Sequence, residues 1–137
     1  MFTSEHHVGR LIELRIRSPI TVDELQELRA SQIRHVLSID EKFISVTDLR
    51  RAFVFPPAIA DGFLSLMKQA NPRLDRSAFL VSDSATFSLQ AERILTELGN
   101  PDRRAFREAD DLELWLSQVL TDAERRRLRR FLVNEAL

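Results

Sequence analysis

The sequence predicts an α/β fold: a single layer of mostly parallel sheet, mixed at its edge, with four to five strands flanked by helices and an extra C-terminal helix. Three observations carry that prediction. Short β-rich apolar runs alternate about four times with helix-length stretches whose apolar residues recur every three to four positions. The connections between them are too short for an antiparallel meander. Helix-start and helix-stop residues fall at the joints between the two kinds of segment.

From Val8 to Ile16 the apolar residues approximate the alternation of a half-buried strand interrupted by Gly9 and Arg10, and a short strand over Met1–Ser4 can pair with it. Ser18-Pro19 breaks the run. Thr21-Val22-Asp23-Glu24 has the form of a capping box, so a helix is expected from Val22 to Leu37, with Val22, Leu25, Leu28, Gln32/Ile33 and Val36 inward. Phe43–Thr47 reads as a strand feeding a loop at Asp48-Leu49. Pro57 suits a first helical turn, and Ile59, Phe63, Leu66, Met67 and Ala70 form one apolar face before Asn71-Pro72 ends the helix. Ala78–Val81 is expected to be a central strand covered on both faces. Ser82 or Ser84 then caps a helix carrying Phe87, Ala91, Ile94, Leu95 and Leu98, which Gly99 closes. Arg104–Arg107 is a further strand, Asp110-Asp111 opens the next helix, and Thr121–Glu124 repeats the capping box. The expected organisation is one domain over residues 1–120 with a helix in 121–137 packed on it.

With 137 residues, 44% of them hydrophobic, the chain can bury a core without staples. The 20 basic and 21 acidic side chains nearly cancel, which argues against nucleic acid as a partner. Cysteine is absent, so thiolate metal sites and cysteine nucleophiles are excluded. No secretory leader or membrane-spanning run is read, and a cytoplasmic location is the expectation.

A search for chemistry finds little. Gly9, Gly62 and Gly99 are too few and too scattered for a phosphate-binding loop, so no cofactor is expected. His6 and His7 sit in an edge strand and are not read as a metal site, and His35 is assigned to the end of its helix, where imidazolium suits the dipole. Ser82-Asp83-Ser84 follows a strand, where open α/β sheets bind ligands, but lacks the glycines of a nucleophile elbow and reads as a helix cap. Asp48 also lies at a strand end, with no second carboxylate beside it. Arg125, Arg126, Arg129 and Arg130 make the last helix basic on its outer side and are candidates for anion contact. Arg50 and Arg51, followed by Phe53 and Phe55, combine charge with aromatic surface, although the favoured reading is that both rings plug the core beneath the loop.

The order of these segments resembles the STAS family, named for sulfate transporters and anti-sigma-factor antagonists, over nearly the whole chain. The likeness lies in the Gly9–Ile16 strand with Pro19–Glu24, in Phe43–Leu49 with its loop into a helix, and in Arg104–Arg107 before Asp110–Leu116. It implies docking of a partner protein through the loop after Asp48 and the following helix. In antagonists of this kind a serine at that helix start is phosphorylated. Here the matching positions are Pro57 and Ala58, so no phospho-switch is expected there.

Two functions of different class follow as expectations. The first is a non-catalytic regulatory or scaffolding module docking an unidentified protein through Asp48, Arg50, Arg51, Phe53, Phe55, Pro57, Ala58 and Asp61. The second is a domain binding a small apolar or lipid ligand, motivated by nine phenylalanines without a tyrosine and requiring a cavity of roughly 300 Å³. A hydrolase-like enzyme using Asp48, Ser82 or Asp83 is a third, and a homodimer through the Met1–His7 edge strand is compatible with any of them.

Overall fold

The structure, a computed structural model, describes residues 1–134; positions 135–137 of the expected terminal helix lie outside the described residues. Five strands, β1 (Phe2–Val8), β2 (Leu11–Arg17), β3 (Phe43–Arg51), β4 (Leu74–Val81) and β5 (Arg103–Phe106), form one sheet in the order β1-β2-β3-β4-β5. The edge strand β1 runs antiparallel to β2, and every other neighbour is parallel. The helices are α1 (Val22–Leu37), α2 (Pro57–Ala70), α3 (Ala85–Leu98), α4 (Ala109–Ser117) and α5 (Asp122–Val133). The fold is the expected α/β sheet, mixed at one edge, and no helix among the described residues is long and apolar enough to cross a membrane.

The strand order decides where the helices go. From β2 to β5 each strand is laid beside its predecessor in one direction, so crossovers of uniform hand put α1, α2 and α3 on the same face. They pack there as one layer over Leu14, Ile16, Leu49 and Val81. The opposite face is left for the two helices beyond β5. There α4 and α5 cover Leu11, Ile44, Val46, Ala78 and Leu80. Because the order never reverses, the sheet has no switch point and no crevice at the carboxyl ends of its strands.

Local rules place most boundaries. Thr21 and Thr121 each accept from the amide three residues on while Glu24 and Glu124 reach back, completing both capping boxes. Ser84, not Ser82, caps α3 through the Phe87 amide, and Gly99 ends it with φ of 64°. Pro57 opens α2.

Four expectations are corrected. The strand expected to feed a loop at Asp48-Leu49 continues through both residues, paired with Leu80 and Val81 of β4, and ends at Arg51. Val8–Ile16 is not one strand, because Gly9, at φ of 55°, turns the chain with Arg10 and makes a hairpin. The α1 stripe is rotated: Leu25, Leu28 and Ser31 are buried, while Val22 and Ile33 are 53% and 46% exposed. The cause is β1, whose Ser4 accepts a hydrogen bond from Ser31 at 2.9 Å and another from Gln32 at 2.9 Å, so α1 turns a polar edge toward it. His35 joins this contact, its Nε2 lying 3.2 Å from the Ser4 carbonyl. The last strand begins one residue earlier than expected, at Arg103, which brings that side chain inside.

Candidate functional site

Successive residues of a strand face opposite sides, and the central strands use their two faces differently. Toward α4 and α5 they present Ile44, Val46, Ala78 and Leu80, which pack solidly. Toward α1–α3 they present Ser45 and Thr47 from β3, Ser77 and the larger Phe79 from β4, and Ala105 from β5. Apart from Phe79, these side chains are too small to fill the space under the helices. Ser45 and Ser77 satisfy each other, Oγ to Oγ at 2.8 Å, and so lie flat on the sheet.

The result is a cavity of about 260 Å³ between the sheet and the helical layer, partly open to solvent. Its roof is the apolar face of α2. Of that expected stripe only Ile59 and Phe63 are buried, whereas Leu66, Met67 and Ala70 hang half-covered over the space. The same holds on α3, where Phe87 is buried but Ala91, Ile94 and Leu95 are half-covered. Phe55, Phe63 and Phe87 close one end, with the Phe55 ring centroid 5.0 Å from that of Phe63 and 5.5 Å from that of Phe87. The volume lies a little under the roughly 300 Å³ at which pockets for drug-sized ligands begin, which sets the scale of an occupant as small.

Arg103 lies at the other end, where the strands begin, and is 7% exposed. Its Nε donates to Asn71 Oδ1 at 2.8 Å and one Nη to the Met67 carbonyl at 3.2 Å. Both acceptors belong to the carboxyl end of α2, so the guanidinium also caps that helix. Burial pushes its pKa down to about 10.

The sequence-predicted residues fall into separate places. Asp48 is buried on the α5 side of the sheet, where its carboxylate accepts from Arg15 at 2.6 Å and from the Arg50 backbone and side chain at 2.9–3.0 Å. Burial pushes the Asp48 carboxyl up, but the hydrogen bonds and charge from Arg50, with the charge of Arg15, more than offset this and leave it below the usual carboxylate range. Arg15 and Arg50 also donate to the Phe131 and Leu132 carbonyls, which fastens the end of α5. Among the expected docking residues, Arg51, Phe53, Pro57, Ala58 and Asp61 are exposed, while Phe55 is buried as a core plug. Phe53, by contrast, is 59% exposed and does not plug the core. Gln90 holds this loop with two bonds of 2.8 Å to the Phe55 backbone.

On α5, Arg126 and Arg130 are exposed, Arg125 bonds Asp122 and the Ser117 carbonyl, and Arg129 pairs with Glu113. Ser82 and Ser84 serve the α3 turn, and Asp83 is exposed. No group of three His, Cys, Asp or Glu side chains converges to hold a metal among the described residues. Sequence reasoning raised an apolar cavity as its second expectation but did not place it, and it missed Arg103. A signal was present: central parallel strands are ordinarily apolar on both faces, and Ser45 and Ser77, partners in the register, depart from that rule, as does Thr47 beside them.

No protein-family model matches the chain, and a search of curated proteins returns no significant match.

Proposed function

We propose that this chain is a non-catalytic binding module that holds a small apolar ligand between its sheet and the α1–α3 layer. The observation that carries the reading is the half-covered apolar stripe over a floor of Ser45, Thr47, Ser77 and Ala105. Protein interiors pack to crystal-like density, so apolar side chains left facing an unfilled space are short of contacts. Two helices that keep Leu66, Met67, Ile94 and Leu95 over such a space are better explained by an occupant. The test is fluorescence of 1-aminoanthracene, a dye that brightens in apolar surroundings. Saturable one-to-one binding that Ala91→Leu and Ala105→Leu abolish is expected. Unsaturable or absent binding contradicts the reading.

A second reading, a STAS-like regulatory module docking a protein, is supported by a different feature. Phe53 and Val54 are 59% and 43% exposed on a loop that Gln90 holds in place. Phe55, two residues on from Phe53, lines the cavity, so ligand occupancy and loop shape share a side-chain cluster. Partner capture from native extract that Phe53→Ser abolishes is the expected result for this reading.

A further inference from the structure

We propose that the ligand is an apolar acid whose carboxylate is taken by Arg103. This assignment rests on the cavity-binding reading and goes on to name the chemistry of the ligand.

Among the other buried ions, Glu124 is held by the Arg10 and Thr121 amides and the rest are paired with opposite charge. Glu13 is held by Arg127 and Asp48 by Arg15 and Arg50. Arg103 differs from Arg15, the other buried cation among the described residues: it is as buried as Asp48, yet it meets only an amide oxygen and a peptide carbonyl. Neutral acceptors do not cancel a charge, and an uncompensated buried cation is costly. The depressed pKa records that cost, because a guanidinium keeps its proton under any ordinary condition. The rest of its fork of donors is available for an anion, and a carboxylate matches that fork in two parallel hydrogen bonds.

The surroundings favour an anion as well. The cavity lining includes Arg103 and Arg73 but no Asp or Glu, although the chain has 21 acidic residues. Arg73 donates to the Ile39 carbonyl at 3.1 Å, at the same end of the sheet. Away from this end the walls are mostly apolar, with Ser45, Thr47 and Gln90 among them, and close on Phe55, Phe63 and Phe87. The space thus has one cationic end and one hydrocarbon end. At roughly 30 Å³ per water-sized group, 260 Å³ accepts on the order of ten non-hydrogen atoms. Octanoate is a molecule of that size and polarity, and 1-octanol is its neutral counterpart.

Isothermal titration calorimetry of the full chain with octanoate and with 1-octanol tests the proposal. Octanoate is expected to bind at least tenfold more tightly, Arg103→Met to remove that preference while 1-octanol still binds, and Arg103→Lys to keep part of it. Should Arg103→Met fail to fold for want of its α2 contacts, the wild-type ratio decides alone. Equal affinity for the two compounds, or a preference that survives Arg103→Met, overturns the acid assignment and leaves the cavity reading standing. Failure of both compounds to bind overturns the cavity reading and the acid assignment with it.

Discussion

Arg127 reaches from α5 to β2 and holds both carboxylate oxygens of Glu13, Nε to Oε2 at 2.7 Å and Nη2 to Oε1 at 2.9 Å. Glu13 is 2% exposed, and its hydrogen bond raises the Arg127 pKa. Removing one partner of such a pair strands a buried charge. Arg127→Met is expected to cost about 3 kcal/mol in urea unfolding, with Glu13→Gln in the same chain recovering part of the loss. A loss equal to that of Arg126→Met, on the exposed side of α5, contradicts the pairing.

Gly9 is required twice over. Its φ of 55° suits glycine, and a Cβ there would collide with Glu124 Oε2, which accepts from the Arg10 amide at 2.7 Å. At Gly99, with φ of 64°, an added methyl would have only the Thr96 carbonyl near it, at 4.0 Å. Gly9→Ala is therefore expected to cost more, about 2–3 kcal/mol, against about 1 kcal/mol for Gly99→Ala. Chemical denaturation of the two variants checks the order.

Asp48 gives stability a defined pH dependence. Its folded-state pKa is below the ordinary value, so its contribution is complete above about pH 4 and is lost as pH falls from there through the folded-state pKa. Asp48→Asn is expected to be less stable than wild type by about 3 kcal/mol at pH 7. The gap begins to narrow below about pH 4, where the unfolded chain takes up the proton, and closes only once the folded-state carboxyl is protonated as well. A gap that stays constant as the carboxyl is titrated contradicts the ion pairs with Arg15 and Arg50.

Filling the cavity should exchange function for stability. Ala91→Leu adds apolar atoms to a space bounded by Phe79 and Met67, and is expected to raise stability by about 1 kcal/mol, or about 4 °C in Tm for a chain of this size. Dye and octanoate binding fall together. Thermal unfolding with and without octanoate measures both effects, and an overpacked, destabilised variant contradicts the presence of usable space.

What was legible in the sequence was local. Both capping boxes, the proline at the start of α2 and the glycine ending α3 act through hydrogen bonds or dihedrals within a few residues, so Thr21, Thr121, Pro57 and Gly99 could be placed directly. The alternation of strand and helix gave the class, and with it the layers. The hairpin was missed because Gly9-Arg10 lacks the Asn-Gly or Asp-Gly signature, and what enforces it is Glu124, at the far end of the chain. Arg127 could not be told from Arg125, Arg126, Arg129 and Arg130 on α5, since the choice depends on which of them faces Glu13. The site was least legible. Ser45, Thr47 and Ser77 come together only through the β3–β4 register, and Arg103 turns inward only because β5 begins there.

Xenon-pressurised crystals test the existence of the cavity most directly, because an apolar void admits xenon without any assumption about the natural ligand. Xenon is expected between Met67 and Phe79, with α2 and α3 unmoved. A space that takes up no xenon, with Phe63 and Met67 packed down onto Ser77, contradicts the binding function proposed for this chain.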